Sequence, residues 1–190
     1  MTRQRLEAFS DSIIAIIMTI MVFKLNVPKG DDLNALIQIW PALFTYLLSF
    51  LFLGIYWNNH HHLFHAVDKV NGKILWANLH LLFWLSLIPF VTDWTEENRF
   101  ESMATSVYGV VLLLSAIAYW ILVNTILTHQ GTNSKLREAI GKDYKGKISI
   151  GLYILAIPLA LVNCWIAMGI YVIVALMWLV PDRRIEKYLL

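Results

Sequence analysis

Five long apolar stretches constrain this chain more than any other feature of its sequence. They cover residues 6–27, 35–57, 74–92, 105–127 and 148–180. A helix needs about 20 predominantly apolar residues to cross the roughly 30 Å hydrocarbon core of a bilayer. A chain of 190 residues could not bury this much apolar surface in a soluble domain, because small domains bury the smallest fraction of their surface. The sequence therefore predicts an all-α integral membrane protein.

The fifth stretch is too long for a single crossing of the membrane. Its 33 residues would extend roughly 50 Å as one helix, at about 1.5 Å per residue. Pro158 weakens a helix at its position, and Asn163 follows it as the expected place for a turn. We therefore expect two short helices, 148–162 and 165–180, which gives six spans in a single domain, 1–190.

Composition agrees with a membrane protein and argues against other classes. The chain is 58% hydrophobic and 15% charged, whereas an ordinary soluble domain is about 45–50% apolar and about 25% charged. Its net charge of +2 is too small to indicate nucleic-acid binding. Because Cys164 is the single cysteine, disulfide frameworks and Cys-rich metal sites are excluded. We expect no cofactor, and the lipid bilayer as the main surrounding partner.

The basic residues are distributed unequally between the two sides of the predicted bundle. With the N-terminus inside, twelve of the fifteen Lys and Arg residues fall on inner segments, whereas Lys24, Lys29 and Arg99 fall outside. Cytoplasmic loops of membrane proteins are enriched in Lys and Arg. We therefore expect a multi-pass protein of the cell (inner) membrane with both termini in the cytoplasm. The twelve inner residues are Arg3, Arg5, Lys69, Lys73, Lys135, Arg137, Lys142, Lys145, Lys147, Arg183, Arg184 and Lys187.

The first apolar stretch is the most informative part of the chain, because polar side chains enter it. Asp11 lies about one turn inside, where an unpaired carboxylate is costly and marks a candidate functional site. A role of Asp11 in tying helices together remains an equally good interpretation. Helical spacing places Asp11 on a different face from a stripe of mostly apolar side chains. If this stripe lines an ion pathway, the pathway is hydrated at the cytoplasmic end and narrow and apolar in the middle. That stripe consists of Arg5, Phe9, Ser12, Ile16, either Thr19 or Ile20, and Phe23.

Two motifs carry a resemblance to a known family. Arg5-x-x-x-Phe9-Ser10-Asp11 resembles the first-helix signature of the endolysosomal potassium channel family, in its bacterial branch. A Trp-x-x-His-x-x-x-Phe frame at residues 57–64 resembles the end of that family's second helix, and Asn78 gives a further match. The resemblance covers residues 5–92 by motif and the remaining chain by its number of spans.

The resemblance implies a homotetrameric potassium channel whose first helices line a central pore. Carried over by position, Ile16 forms the hydrophobic constriction, Thr19 lines the next layer, and Ile20 and Phe23 form apolar layers beyond it. The chain has no Thr-Val-Gly-Tyr-Gly sequence, so a carbonyl selectivity filter of that kind is excluded and K⁺ would pass a hydrophobic gate instead. The expected pore entrance and supporting network comprise Arg5, Phe9, Ser10, Asp11, Ser12, Trp57, His60 and Asn78.

Two other functions remain open from the sequence. A proton-coupled secondary transporter could use Asp11 and His60 as a relay. An intramembrane metal-dependent enzyme could use His61 and His65, which are four residues apart on a helix, with Asp68 or His80 as a third ligand. No hydrolytic motif accompanies these histidines, so the sequence favours a channel over an enzyme and a polar surface over a metal site.

Overall fold

The computed structural model describes residues 2–65, 67, 69–130 and 143–179, and all regular secondary structure within these ranges is helical. Five helical segments there are long and apolar enough to cross a membrane. The prediction of an all-helical membrane protein is therefore confirmed. The helices are α1 (Arg3–Phe23), α2 (Leu33–Gln38), α3 (Trp40–His65), α4 (Gly72–Ser86), α5 (Ile88–Glu97), α6 (Ser102–Gln130), α7 (Tyr144–Val162) and α8 (Cys164–Leu179).

The long segments are α1, α3, α4 with α5 taken together, α6 and α7. The last helix, α8, is apolar but has only 16 residues. Five long segments and one shorter apolar helix thus stand where six spans are expected from the sequence.

Two prolines divide stretches that the sequence suggests are continuous. Pro89 has no backbone N–H for the carbonyl of Leu85, and the chain breaks between α4 and α5 at Leu87. Pro41 lies in the same way at the start of α3, so the short helix α2 is separate from it. The second span therefore begins at Trp40 instead of residue 35.

The last apolar stretch divides at Asn163 and continues as a helix through Pro158. Asn163 adopts an extended backbone conformation, and its side-chain oxygen accepts the N–H of Trp165 at 2.9 Å. This cap begins α8 and satisfies a backbone donor that would otherwise be unpaired. At the other end, Asp143 caps α7 and moves its start to Tyr144, before the expected residue 148.

Helix α6 forms the centre of the bundle and packs against α4, α5, α7 and α8, while α3 packs against α1, α5 and α8. Fully buried side chains such as Leu53, Phe64, Leu85, Tyr108 and Ile126 fill the core between them. Helix α1 packs against α3, α4 and α5 at the edge of this bundle. It is therefore attached on one side only.

The charged residues separate to the two ends of the bundle. The guanidinium of Arg3 donates to the carbonyls of His65 and Val67 at 3.0 and 3.3 Å, which places the start of α1 beside the end of α3. We call this the basic end; its described basic residues include Arg3, Arg5, Lys69, Lys73, Lys145 and Lys147. The opposite, acidic end carries Asp31, Asp32, Asp93, Glu96, Glu97 and Glu101. The remaining basic residues assigned to the inner side, Lys135, Arg137, Lys142, Arg183, Arg184 and Lys187, lie outside the described residues.

Candidate functional site

The face of α1 that turns away from the bundle carries large apolar side chains. Phe9 is 44% exposed, Ile16 57%, Ile20 45% and Phe23 81%. Arg5, Ser12 and Thr19 are exposed on the same helix. The whole stripe predicted from helical spacing is thus exposed in the single subunit. The opposite face is buried and consists of Leu6, Ser10, Ile14, Ile17 and Met21.

Two hydroxyl groups interrupt the apolar character of this exposed stripe. The Ser12 hydroxyl donates to the carbonyl of Ala8 at 2.8 Å, and the Thr19 hydroxyl donates to the carbonyl of Ala15 at 2.8 Å. Their hydrogens are therefore used within α1, while their oxygen lone pairs stay available to a passing ion. At about 1.5 Å per residue, these oxygens lie roughly 6 Å before and 4.5 Å after Ile16 along the helix.

A buried hydrogen-bond network joins α1 to α4 and α3 behind the exposed stripe. The Asn78 amide donates to Ser10 Oγ at 2.9 Å, and its Oδ1 lies 2.8 Å from His60 Nε2. Since Oδ1 can only accept, His60 Nε2 is the donor. All three side chains are fully buried, and the His60 ring stacks on Phe64 with 4.4 Å between ring centroids. His60 Nδ1 has no hydrogen-bond partner in the part of the chain that the structure describes.

A second set of polar contacts runs along α1 and α3 near the basic end. Successive contacts lie four residues apart on each helix, and the two helices run in opposite directions, so a polar group of one helix meets a polar group of the other about once per turn. We call these contacts the polar ladder. Its rungs are Arg3 with the His65 carbonyl at 3.0 Å, Glu7 Oε1 with His61 Nδ1 at 2.9 Å, and Asp11 Oδ1 with Trp57 Nε1 at 3.1 Å.

The structure separates the residues expected at the pore entrance into three groups. Ser10, His60 and Asn78 form the buried network, while Asp11 and Trp57 form the innermost rung of the polar ladder. The other three, Arg5, Phe9 and Ser12, lie on the exposed stripe. Among the described side chains, neither Arg5 nor Asp11 hydrogen-bonds to His60, because Asp11 pairs with Trp57 and Arg5 lies on the exposed face of α1.

Arg3 and Glu7 belong to the ladder but do not stand out in the sequence as site residues. Their signal was the matching spacing of residues 3, 7 and 11 with residues 65, 61 and 57. Polar side chains four residues apart on each of two helices share one face, which is compatible with such contacts when the helices are antiparallel. The sequence does not show which helices are neighbours.

The histidines near the end of α3 take part in other contacts. His61 pairs with Glu7, and its ring centroid lies 5.4 Å from that of His65. His80 Nε2 accepts the indole N–H of Trp84 at 2.9 Å, and Asp68 lies outside the described residues. Within the described ranges, no group of three His, Cys, Asp or Glu side chains is arranged to hold a metal ion.

The far end of α1 is held by an ion pair. Lys24 Nζ lies 3.0 Å from Asp93 Oδ2 on α5. The hydrogen bond that Lys24 donates to this carboxylate, together with the carboxylate's charge, raises the pKa of Lys24. Helix α1 is thus attached in the half nearer the basic end by the ladder and the buried network, and at the acidic end by this pair.

Comparison with known proteins identifies the family. Residues 5–89 match the family described as the endosomal/lysosomal potassium channel TMEM175. A potassium channel of Chryseobacterium sp. (strain P1-3) is 54% identical over 189 residues, which cover 100% of this chain and 98% of that protein. A potassium channel of Streptomyces collinus is 31% identical over 176 residues, 83% of this chain and 85% of the relative.

A solved structure is also similar over nearly the whole length. The crystal structure of a lysosomal potassium-selective channel TMEM175 homolog from Chamaesiphon minutus superposes with a TM-score of 0.81 at 28% sequence identity. The match covers 95% of this chain and 97% of that one. This chain belongs to the TMEM175 family.

Proposed function

We propose that this chain is a potassium channel in which four copies surround a pore lined by the exposed stripe of α1. The observation that carries the proposal is the exposure of this stripe on a helix whose opposite face is firmly packed. Ile16, 57% exposed, lies at its centre, while Ile14 and Ile17 beside it in sequence are buried. Potassium is proposed as the permeant ion because relatives of this chain are named as potassium channels.

Symmetry supports a ring of identical subunits, and the resemblance to the endolysosomal potassium channel family supports four of them. One helix cannot enclose a pore, and identical subunits form closed channels most simply as a ring. Each stripe residue then appears four times around the axis. Native mass spectrometry is expected to record four copies of the 21.9 kDa chain, and a stable monomer or dimer would contradict this arrangement.

Selectivity in this pore would arise from partial dehydration of the ion. A ring of four Ile16 side chains offers no ligands, so an ion that passes it loses part of its water, and Na⁺ holds its water more tightly than K⁺. The Thr19 oxygens, whose hydrogens are bonded to the helix backbone, can replace some of the lost ligands. Ile20 and Phe23 continue the pore as apolar layers. The carboxylates of the acidic end raise the local concentration of cations.

The supporting contacts hold the pore helix in position. Ser10, Asn78 and His60 fix α1 from behind, and Asp11 with Trp57 fixes it at about the same height, in the half of the helix nearer the basic end. Arg5, Phe9 and Ser12 form the wider entrance at that end. A shift of α1 by one residue would break all these bonds and turn Ile16 away from the axis.

We assign the basic end to the cytoplasm of the cell (inner) membrane, because Lys and Arg are enriched in cytoplasmic segments. Both termini then lie in the cytoplasm and α8 is the sixth span. Its 16 residues reach about 24 Å, which fits a locally thinned bilayer.

Ion flux into liposomes tests the channel against the proton-coupled transporter. The liposomes have a K⁺ gradient, no pH gradient and no K⁺ ionophore. The reconstituted protein is expected to conduct K⁺ much faster than Na⁺ and without accompanying proton movement. Stoichiometric proton movement that depends on Asp11 would instead support the transporter. The metal-dependent enzyme gains no support from a family described as a potassium channel.

A further inference from the structure

A groove lies between α4 and α6 at the basic end, away from the stripe on α1. It consists of two adjoining hollows of about 810 and 450 Å³, which share Asn71, Lys73, Ile121 and Thr125 as lining residues. The shared lining makes them one continuous surface. The channel proposal uses none of these residues.

The end of the groove nearest the loop before α4 presents hydrogen-bond donors and positive charge. The Asn71 side-chain oxygen caps α4 by accepting the N–H of Ile74 at 2.9 Å, and its amide nitrogen donates to His129 Nδ1 at 3.0 Å. His129 therefore keeps its Nε2–H free of this contact and available as a donor. Lys73 is exposed beside it. None of the described residues that line the groove is acidic, so this end is complementary to an anion.

The rest of the groove is lined by aromatic and apolar side chains together with the polar side chains of His80, Asn124, Thr125 and Thr128. Trp76 is 75% exposed and Trp120 is 45% exposed, and both line it, as do Ala77 and Ile121. Tryptophan favours the boundary between headgroups and acyl chains, where one part of its ring is apolar and its N–H stays near water. The groove thus changes from cationic to apolar in the direction that leads from the membrane surface to its interior.

We propose that this groove binds an anionic glycerophospholipid from the leaflet at the basic end. The phosphate lies against Lys73 and the Nε2–H of His129, and the upper part of an acyl chain packs along Ala77, Ile121 and the two tryptophans. A free phosphate would leave the apolar half of the groove unused, whereas a phospholipid matches both halves. The proposal does not depend on ion conduction.

Native mass spectrometry of the purified full chain in detergent tests this site. Phosphatidylglycerol, phosphatidylcholine and glycerol phosphate are added in separate titrations. The double variant Lys73→Gln with His129→Gln is compared with Lys69→Gln, which removes one charge from an exposed position at the same end that does not line the groove. The double variant is expected to lose phosphatidylglycerol affinity about fivefold or more. The phosphatidylglycerol affinity of the Lys69→Gln protein and the phosphatidylcholine affinity of the double variant stay within about twofold of the wild-type values.

A second variant tests the apolar half. Trp76→Ala is expected to weaken binding of long-chain phosphatidylglycerol while leaving a soluble dihexanoyl form nearly unchanged. Equal losses in the Lys69→Gln and double variants would overturn the proposal, since binding would then reflect surface charge alone. Displacement of the lipid by glycerol phosphate at equal concentration would also overturn it in favour of a phosphate site. A changed number of chains per particle in the double variant would show that the groove is a subunit contact instead.

Discussion

Asn78 connects α1 to two other helices through a single side chain. Its amide donates to Ser10 on α1 while its carbonyl oxygen accepts from His60 on α3. A buried polar group without a partner costs free energy, so this one side chain satisfies two others. No other residue type of similar size offers a donor and an acceptor in this fork.

Asn78→Leu is expected to lower the free energy of unfolding by about 1–3 kcal/mol, because Ser10 loses its donor and His60 loses the acceptor of its Nε2–H. Unfolding in mixed detergent and SDS micelles, followed by circular dichroism, measures this quantity. The control is Asn124→Leu, which removes an exposed amide that donates to the Trp120 carbonyl of its own helix. Equal stability of the two variants would show that the network contributes little.

The sequence identifies Ser10, His60 and Asn78 as candidate residues but does not show how they pair. Helical spacing gives the face of each helix that a side chain occupies, whereas the pairing depends on which helices are neighbours and at what height. Glu7 shows the same limit, because its partner His61 is 54 positions away in the sequence. The grouping of these residues as a supporting site stays a prediction.

At the scale of whole helices, α6 joins α4 and α5 to α7 and α8. Gly109 lies on α6 where α7 and α8 meet it, and a Cβ at this position would clash with the Tyr171 ring and press on Ile157 at 3.2 Å. Tyr171 in turn donates its hydroxyl to the Thr105 carbonyl at 3.2 Å. The three helices can approach this closely because residue 109 has no side chain.

Gly109→Ala is expected to destabilise the fold by about 1–3 kcal/mol, since the added methyl group displaces Tyr171 from a tightly packed position. Gly151→Ala on α7 serves as the matched control, because nothing lies within 4 Å of the Cβ it would add. That change should leave stability the same or raise it by up to roughly 1 kcal/mol through helix propensity. The same unfolding assay compares them, and equal values would contradict the close packing described for α6.

The sequence predicts helix boundaries well where the end of an apolar run determines them. It does not predict them where a proline or a capping side chain determines them. Pro89 and Pro41 each stand near the start of a helix and separate it from the preceding one. Pro158 lies inside α7 and the helix continues through it. The difference depends on whether the preceding turn has other support, and a single sequence does not show that support.

The two ends of the molecule differ in charge, and this difference predicts its orientation in the membrane. Lys29 and Lys69 are both exposed and lie at opposite ends. In a Cys164→Ser background, Lys29→Cys is expected to react with a membrane-impermeant maleimide on intact spheroplasts. Lys69→Cys should react only after permeabilisation. The reverse pattern would contradict the assignment of the basic end to the cytoplasm.

Which apolar surface faces the pore and which faces lipid cannot be read from residue type. Ile16 on α1 is 57% exposed and Ile154 on α7 is 56% exposed, and both are isoleucines within long apolar helices. Four copies arranged around α1 would bring Ile16 to the axis and leave Ile154 at the periphery. This distinction exists only in the assembled molecule, so the pore assignment depends on the family and on the unpaired face of α1.

Potassium and sodium flux through reconstituted Ile16→Asn protein, compared with Ile154→Asn, tests the pore assignment most directly. The same substitution at two positions of equal exposure differs only in the helix that carries it. Ile16→Asn is expected to raise flux and to reduce the preference for K⁺ over Na⁺. A ring of four asparagine side chains admits more water than a ring of four isoleucines, and its amide oxygens supply ligands to both ions. Ile154→Asn should conduct as the wild type does. Unchanged flux and selectivity in Ile16→Asn would place the constriction elsewhere and contradict a pore lined by this face of α1.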